Sequence, residues 1–214
     1  MDVLIRSGSL TLPGLLEIPQ NASGLILFAH GSGSGRYSPR NREVADALNQ
    51  AGFATLLFDL LTEKESQDRA LVFDIPLLSR RLSLATRWVE HESKTSSLPL
   101  GYFGASTGAA AALWSAAEFG SLIRSVVSRG GRHDLATRRL KLVTAPVLLI
   151  VGEKDEPVIT LNQEAQGELR NSELLIIPGS THLFEEPGKI LEVANAAIEW
   201  FRKTLPEPPA RKFA

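Results

Sequence analysis

Gly104-Ala105-Ser106-Thr107-Gly108 is a G-x-S-x-G pattern that follows an apolar run, residues 98–103, and opens an alanine-rich stretch of helical character, residues 107–119. A serine between glycines at a strand-to-helix turn sits on a bend tight enough to push its hydroxyl outward. It then lies beside a helix N-terminus, whose free N–H groups favour developing negative charge. Capping the helix is the plainer role for such a serine, but a strand, a turn and a helix in that order favour a nucleophile. A serine hydroxyl reacts only when a base removes its proton, and the base needs a carboxylate to orient it.

Four histidines are available. His91 lies between Glu90 and Glu92 at the end of an amphipathic stretch and reads as a surface residue. His30 opens His30-Gly31-Ser32-Gly33-Ser34-Gly35, which suits the backbone of a binding loop better than a base. His133 follows Gly130-Gly131-Arg132 and reads as packing at a helix start. His182 comes after the last apolar run, through Pro178-Gly179-Ser180-Thr181 and just ahead of the final helical stretch, where a base for Ser106 belongs. The carboxylate is expected between serine and histidine in chain order. Val151-Gly152-Glu153-Lys154-Asp155 puts Asp155 there, with Glu153 and Glu156 as rivals. Oxyanion donors are then the backbone N–H of Thr107 and one from the glycine-rich loop, for which Ser32 is the candidate. Neither dinucleotide nor P-loop glycine spacing can be written through residues 30–35, so a phosphate cradle does not fit.

The elements that must position these groups alternate along the chain. Residues 24–29, 54–59, 98–103, 123–128, 147–151 and 173–177 are short continuous apolar runs, as in strands covered on both faces of a parallel sheet. Residues 3–5 and 10–17 precede them; Pro13-Gly14 inside the second suits an edge hairpin. Helical spacing is clearest at Leu71, Ile75, Leu78, Leu82, Ala85 and Val89, one continuous apolar stripe. Residues 40–50, 107–119, 160–170 and 188–204 complete the helices, with Gly52 and Gly120 just beyond two of them. The expectation is an α/β fold: a mostly parallel, doubly wound sheet of about eight strands flanked by helices. Residues 1–204 form one domain in this reading, and 205–214, with Pro206, Pro208 and Pro209, a flexible tail.

Composition removes several classes. With no cysteine among 214 residues, there is no disulfide framework, thiolate nucleophile or cysteine-ligated metal, and the reading requires no metal or other cofactor. A net charge of −1 from 23 basic and 24 acidic residues does not advertise a nucleic-acid partner. No apolar run approaches the length that spans a bilayer, and Met1 to Leu10 lack the cationic and apolar stretches of a secretory leader, so the expected location is the cytoplasm, away from membranes.

Taken together, the His30-Gly31 loop, the elbow at 104–108, Val151–Asp155 and Gly179-Ser180-Thr181-His182 resemble the α/β-hydrolases. Within them they are similar to the small, lidless, dienelactone-hydrolase-like group. The resemblance covers nearly the whole chain. It implies Ser106 as nucleophile, Asp155 as acid, His182 as base and a small-molecule ester, lactone or thioester as substrate. Lactone specificity is not inherited, because dienelactone hydrolases proper use a cysteine nucleophile. The short stretch between the runs 123–128 and 147–151 leaves no room for a cap domain. Arg129, Arg132, Arg36 and Arg40 fall in loops that face such an open site, where a guanidinium suits a carboxylate or phosphate, although each can equally be paired with a surface acid. The alternatives are a non-catalytic ligand-binding protein on a hydrolase scaffold and transfer of the acyl group to an alcohol in place of water. Nothing in the sequence fixes the oligomeric state.

Overall fold

The computed structural model describes residues 1–205. Eight strands, β1 (Asp2–Ser7), β2 (Leu10–Glu17), β3 (Leu25–Ala29), β4 (Ala54–Phe58), β5 (Leu100–Ala105), β6 (Ile123–Arg129), β7 (Val147–Gly152) and β8 (Ser172–Ile177), form one sheet in the order β1-β2-β4-β3-β5-β6-β7-β8. β1 and β2 are an antiparallel hairpin, β2 joins β4 antiparallel, and every later pairing is parallel. β3, β4, β5 and β7 are buried at every position, which is why their sequences run apolar without alternation.

Two cores result, one on each face. α1 (Pro39–Gln50) and α7 (Lys189–Thr204) cover one side, with Phe28, Phe103, Val193 and Phe201 packed between them and the sheet. The other side carries α2 (Arg69–Val72), α3 (Ile75–His91), α4 (Thr107–Phe119), α5 (Thr137–Leu140) and α6 (Glu156–Glu168). Adjacent residues of β5 serve opposite cores, Tyr102 one and Phe103 the other. Ala109, Ala110, Ala111 and Ala112 are fully buried, so small side chains let α4 lie close against the sheet that ends at Ser106. The Tyr102 hydroxyl is buried between Thr86 (2.6 Å) and Ser115 (3.1 Å), satisfying a polar atom at the α3–α4 contact.

Three local features differ from the sequence pattern. The apolar stripe that begins at Leu71 is not one helix: α2 ends at Val72, and Asp74 caps a new helix by accepting from Leu77 N at 2.9 Å, with a proline in its first turn. The hairpin at the sheet edge is as expected, β1 and β2 forming it antiparallel with β1 outermost; the β2–β4 ladder starts at Gly14, so the missing N–H of Pro13 costs no hydrogen bond there. α6 starts at Glu156, earlier than the apolar spacing suggests, because Asp155 serves as its N-cap residue and a proline opens it. Leu205, assigned to the tail, is buried against the α1/α7 core; residues 206–214 lie outside the described residues.

Leu82 has no exposed surface and lies at the middle of the α3 face. Leu82→Ala is expected to cost about 2–5 kcal/mol of stability. In urea unfolding it would appear as a lower midpoint with an unchanged slope.

Candidate active site

Ser106 has φ 51° and ψ −117°, a backbone conformation that side-chain-bearing residues rarely adopt and that costs of order 1–3 kcal/mol. Its neighbours impose it. A Cβ on Gly104 would stand 2.5 Å from Ala109 Cα, and one on Gly108 would collide with the Ala29 carbonyl, so α4 turns back onto β5 and β3 only with glycine at both positions. The turn is locked to the loop after β6: Ser106 N–H donates to Arg129 O (3.0 Å), and Ser106 O accepts from Arg132 N–H (3.2 Å). The hydroxyl makes no capping bond to the helix. Capping is therefore not what Ser106 does.

Across the sheet edge, His182 Nδ1–H donates to Asp155 Oδ2 at 2.6 Å. Asp155 makes no side-chain cap bond to α6, which leaves its carboxylate for the imidazole. The β7 and β8 loops are pressed together to achieve this. A Cβ on Gly152 would lie 2.5 Å from the carbonyl oxygens of Ser180 and Thr181, and Lys154 N–H donates to Ser180 O at 2.9 Å. Glu153, one rival acid, accepts from Gly179 N–H at 2.6 Å and so braces the loop; Glu156, the other, is exposed in the first turn of α6. Phe184 is driven into the α1/α7 core with φ 56°, anchoring the chain two residues beyond His182. Gly130, with φ 56°, passes against the His182 ring, so the strip 129–132 touches both the serine turn and the histidine. Among the described residues no hydrogen bond joins the Ser106 hydroxyl to His182, a gap common in unliganded sites.

On the other side of Ser106 runs the glycine-rich loop. A Cβ on Gly31 would stand 3.1 Å from Ser106 Cβ, so the loop grazes Ser106, with Ser32 the next residue along it. His30 holds this loop. Its Nδ1 bonds Gly31 O (3.0 Å) and its Nε2 accepts from Leu60 N–H (3.0 Å), while burial keeps its pKa below the ordinary histidine value. Thr107 is buried as the first residue of α4.

Three of the four arginines singled out by sequence are occupied. Arg36 is paired with Asp59, which also accepts the Arg36 backbone N–H at 2.7 Å; Arg132 makes a two-pronged contact to Asp134 (2.9 and 2.8 Å); Arg40 reaches Glu185 at 2.7 Å. Arg129 differs. It is buried behind the His182 loop, near Asn41 Oδ1 (3.5 Å) and the Phe184 ring (5.9 Å), with Nη1 unpartnered among the described residues. Burial, with Arg40 nearby, lowers its pKa to about 10, so it stays charged at neutral pH.

Sequence reasoning missed the part played by His133. Its Nε2 is 2.9 Å from Ser128 Oγ, a Cβ on Gly131 would run into its ring, and Asn162 Nδ2 donates to Gly131 O at 3.0 Å. This buried polar cluster supports the strip 129–132, and the paired glycines ahead of His133 were its one trace in the sequence. Among the described residues no group of three or more His, Asp or Glu side chains is placed to hold a metal, and no helix is long and apolar enough to cross a membrane.

Residues 12–206 match the model of the dienelactone hydrolase family. A dienelactone hydrolase from Anabaena variabilis ATCC 29413 is 53% identical and superposes with a TM-score of 0.93 over 96% of this chain and 98% of that one. An alpha-beta serine hydrolase homologue from Coxiella burnetii, 20% identical, shares the fold with a TM-score of 0.78 over 93% of this chain and 96% of that one. A Mycobacterium tuberculosis protein provisionally named a phosphoribosyl transferase is 53% identical over 201 residues, 94% of this chain and 45% of that protein. The chain thus spans about half the length of the curated relatives it matches.

Burial lowers the pKa of His133 from 6.5 to about 4. The unfolded chain therefore binds a proton here that the fold refuses between those two values, and stability is lost as pH falls through that window, by on the order of 3 kcal/mol at its lower end. His30, shifted the same way by burial, adds to the trend. Urea midpoints should fall as pH is lowered from about 7 to about 4, and His133→Gln should flatten that slope.

Proposed function

The chain belongs to the dienelactone hydrolase family, and from that premise we propose that it is a serine hydrolase cleaving a carboxylic ester, lactone or thioester through an acyl-enzyme on Ser106. One observation carries the reading: the 2.6 Å bond from His182 Nδ1–H to Asp155, made at the same sheet edge as the strained Ser106 turn. With Nδ1 committed to the carboxylate, Nε2 is the nitrogen left to take the Ser106 proton.

The steps follow from those roles. Ser106 Oγ attacks the substrate carbonyl carbon as its proton passes to His182. The oxyanion is held by the N–H groups of Thr107 and Ser32, the first at the α4 N-terminus and the second on the loop that grazes Ser106. His182 returns the proton to the leaving alkoxide or thiolate, the carbonyl re-forms, and the acyl group remains on Ser106. Water, activated by the same imidazole, then releases the acid. Every step is done by side chains and backbone of this chain. A transferase name on the M. tuberculosis relative belongs to a protein of which this chain matches 45%, and the hydrolytic reading concerns that part alone.

A fluorophosphonate probe should modify intact protein at Ser106 only, read by mass spectrometry, and labelling should vanish in Ser106→Ala and His182→Ala. Against an activated ester, Ser106→Ala and Asp155→Asn should each lower kcat by roughly 10⁴-fold, with circular dichroism unchanged. Unlabelled, folded wild-type protein would refute the reading.

A further inference from the structure

The sheet order gives the two sides of Ser106 different chemistry. Ser106 ends β5; Asp155 and His182 arrive from the β7 and β8 side, whereas the glycine-rich loop and Leu61 arrive from the β3 and β4 side. A substrate whose carbonyl oxygen points at the Ser32 and Thr107 N–H groups has two remaining substituents. The leaving group must face His182, which protonates it. The acyl substituent is therefore directed to the β4 side.

A small, partly open pocket lies there. It is lined by residues 30–34 and Thr107 on one side and by Leu61, Ser66, Val72 and Leu78 on the other, with a volume of about 20 Å³, room for about one water-sized group. Its walls are held in place. Leu60 N–H is tied to His30 Nε2, fixing the turn that carries Leu61; Leu78 is 2% exposed on a helix capped by Asp74; and the segment leading to Val72 is fastened to α3 through Glu65 and Arg81 at 2.6 Å. Both nitrogens of His30 are engaged with backbone, which fixes its ring beside the pocket.

Resting on the serine-hydrolase reading above, we infer that this cavity is the acyl subsite and that Leu61, Val72 and Leu78 restrict the enzyme to short acyl groups such as acetyl, the leaving group being left to the more exposed His182 side. An added methylene in a tight apolar pocket changes kcat/KM by roughly 10–200-fold. With the leaving group constant, p-nitrophenyl acetate should be hydrolysed at least about 10-fold more efficiently than the butyrate and at least about 100-fold more efficiently than the octanoate.

Val72 is half-buried at the end of a four-residue helix, so Val72→Ala enlarges the cavity with little risk to folding. It should raise the butyrate-to-acetate ratio of kcat/KM by about 10-fold; Leu78→Ala, at a more buried position, should move the ratio the same way. Fluorophosphonate labelling of every variant counts competent sites. Three outcomes overturn the subsite: octanoate cleaved by wild type as readily as acetate, an unchanged ratio in fully labelled Val72→Ala and Leu78→Ala, or labelled protein that cleaves none of the three esters. Folded wild type that is neither labelled nor active removes the hydrolase reading itself, and the subsite falls with it.

Discussion

The backbone at Ser106 is held where a side chain is not at ease, and the arrangement of the molecule around it follows from keeping it there. Strain of a few kcal/mol at one residue survives only when its surroundings over-determine the conformation. Here α4 presses the turn from behind through an alanine face, two glycines give it space, and the strip 129–132 clamps its N–H and its carbonyl at once. Releasing the strain would mean separating α4 from β3 and β5, which its backbone approaches closely at Gly104 and Gly108. The turn is thus stabilised by the central sheet together with its own two bonds to the strip 129–132.

Histidines in this protein are divided by solvation. His30 and His133 are buried, kept neutral, and spend both or one of their ring nitrogens on loop geometry. His182 is half-exposed and bonded to a carboxylate on one side only. The same side chain is a strut at His30 and His133 and a candidate proton carrier at His182, and what separates these three is access to water and a carboxylate rather than the loop type they occupy; His91 is exposed with no carboxylate bond among the described residues.

Much of this was legible in the sequence because it was local. The buried strands announce themselves as continuous apolar runs, and Gly104–Gly108, Asp155 and His182 each sit directly after one, at the edge where a parallel sheet presents its loops. What was not legible was long-range. Nothing in the spacing at 71–89 distinguishes one helix from two, because Asp74 and the proline after it break a stripe whose apolar face continues unchanged. The commitments of Arg36 to Asp59 and Arg132 to Asp134, the isolation of Arg129, and the brace formed by His133, Ser128 and Asn162 depend on which loops the fold brings together. Periodicity reports a residue's face, and it is silent about the partner across the gap.

The strand order also bears on how the protein reaches its working form. β5 is central, but the residues facing its C-terminal end come from β3 on one side and from β7 and β8 on the other, and β8 is the terminal strand of the sheet. A chain in which only β3, β5 and β6 have paired holds the Ser106 turn without Asp155 or His182 beside it. The serine-hydrolase site we propose is therefore complete only once β7 and β8 have joined the sheet.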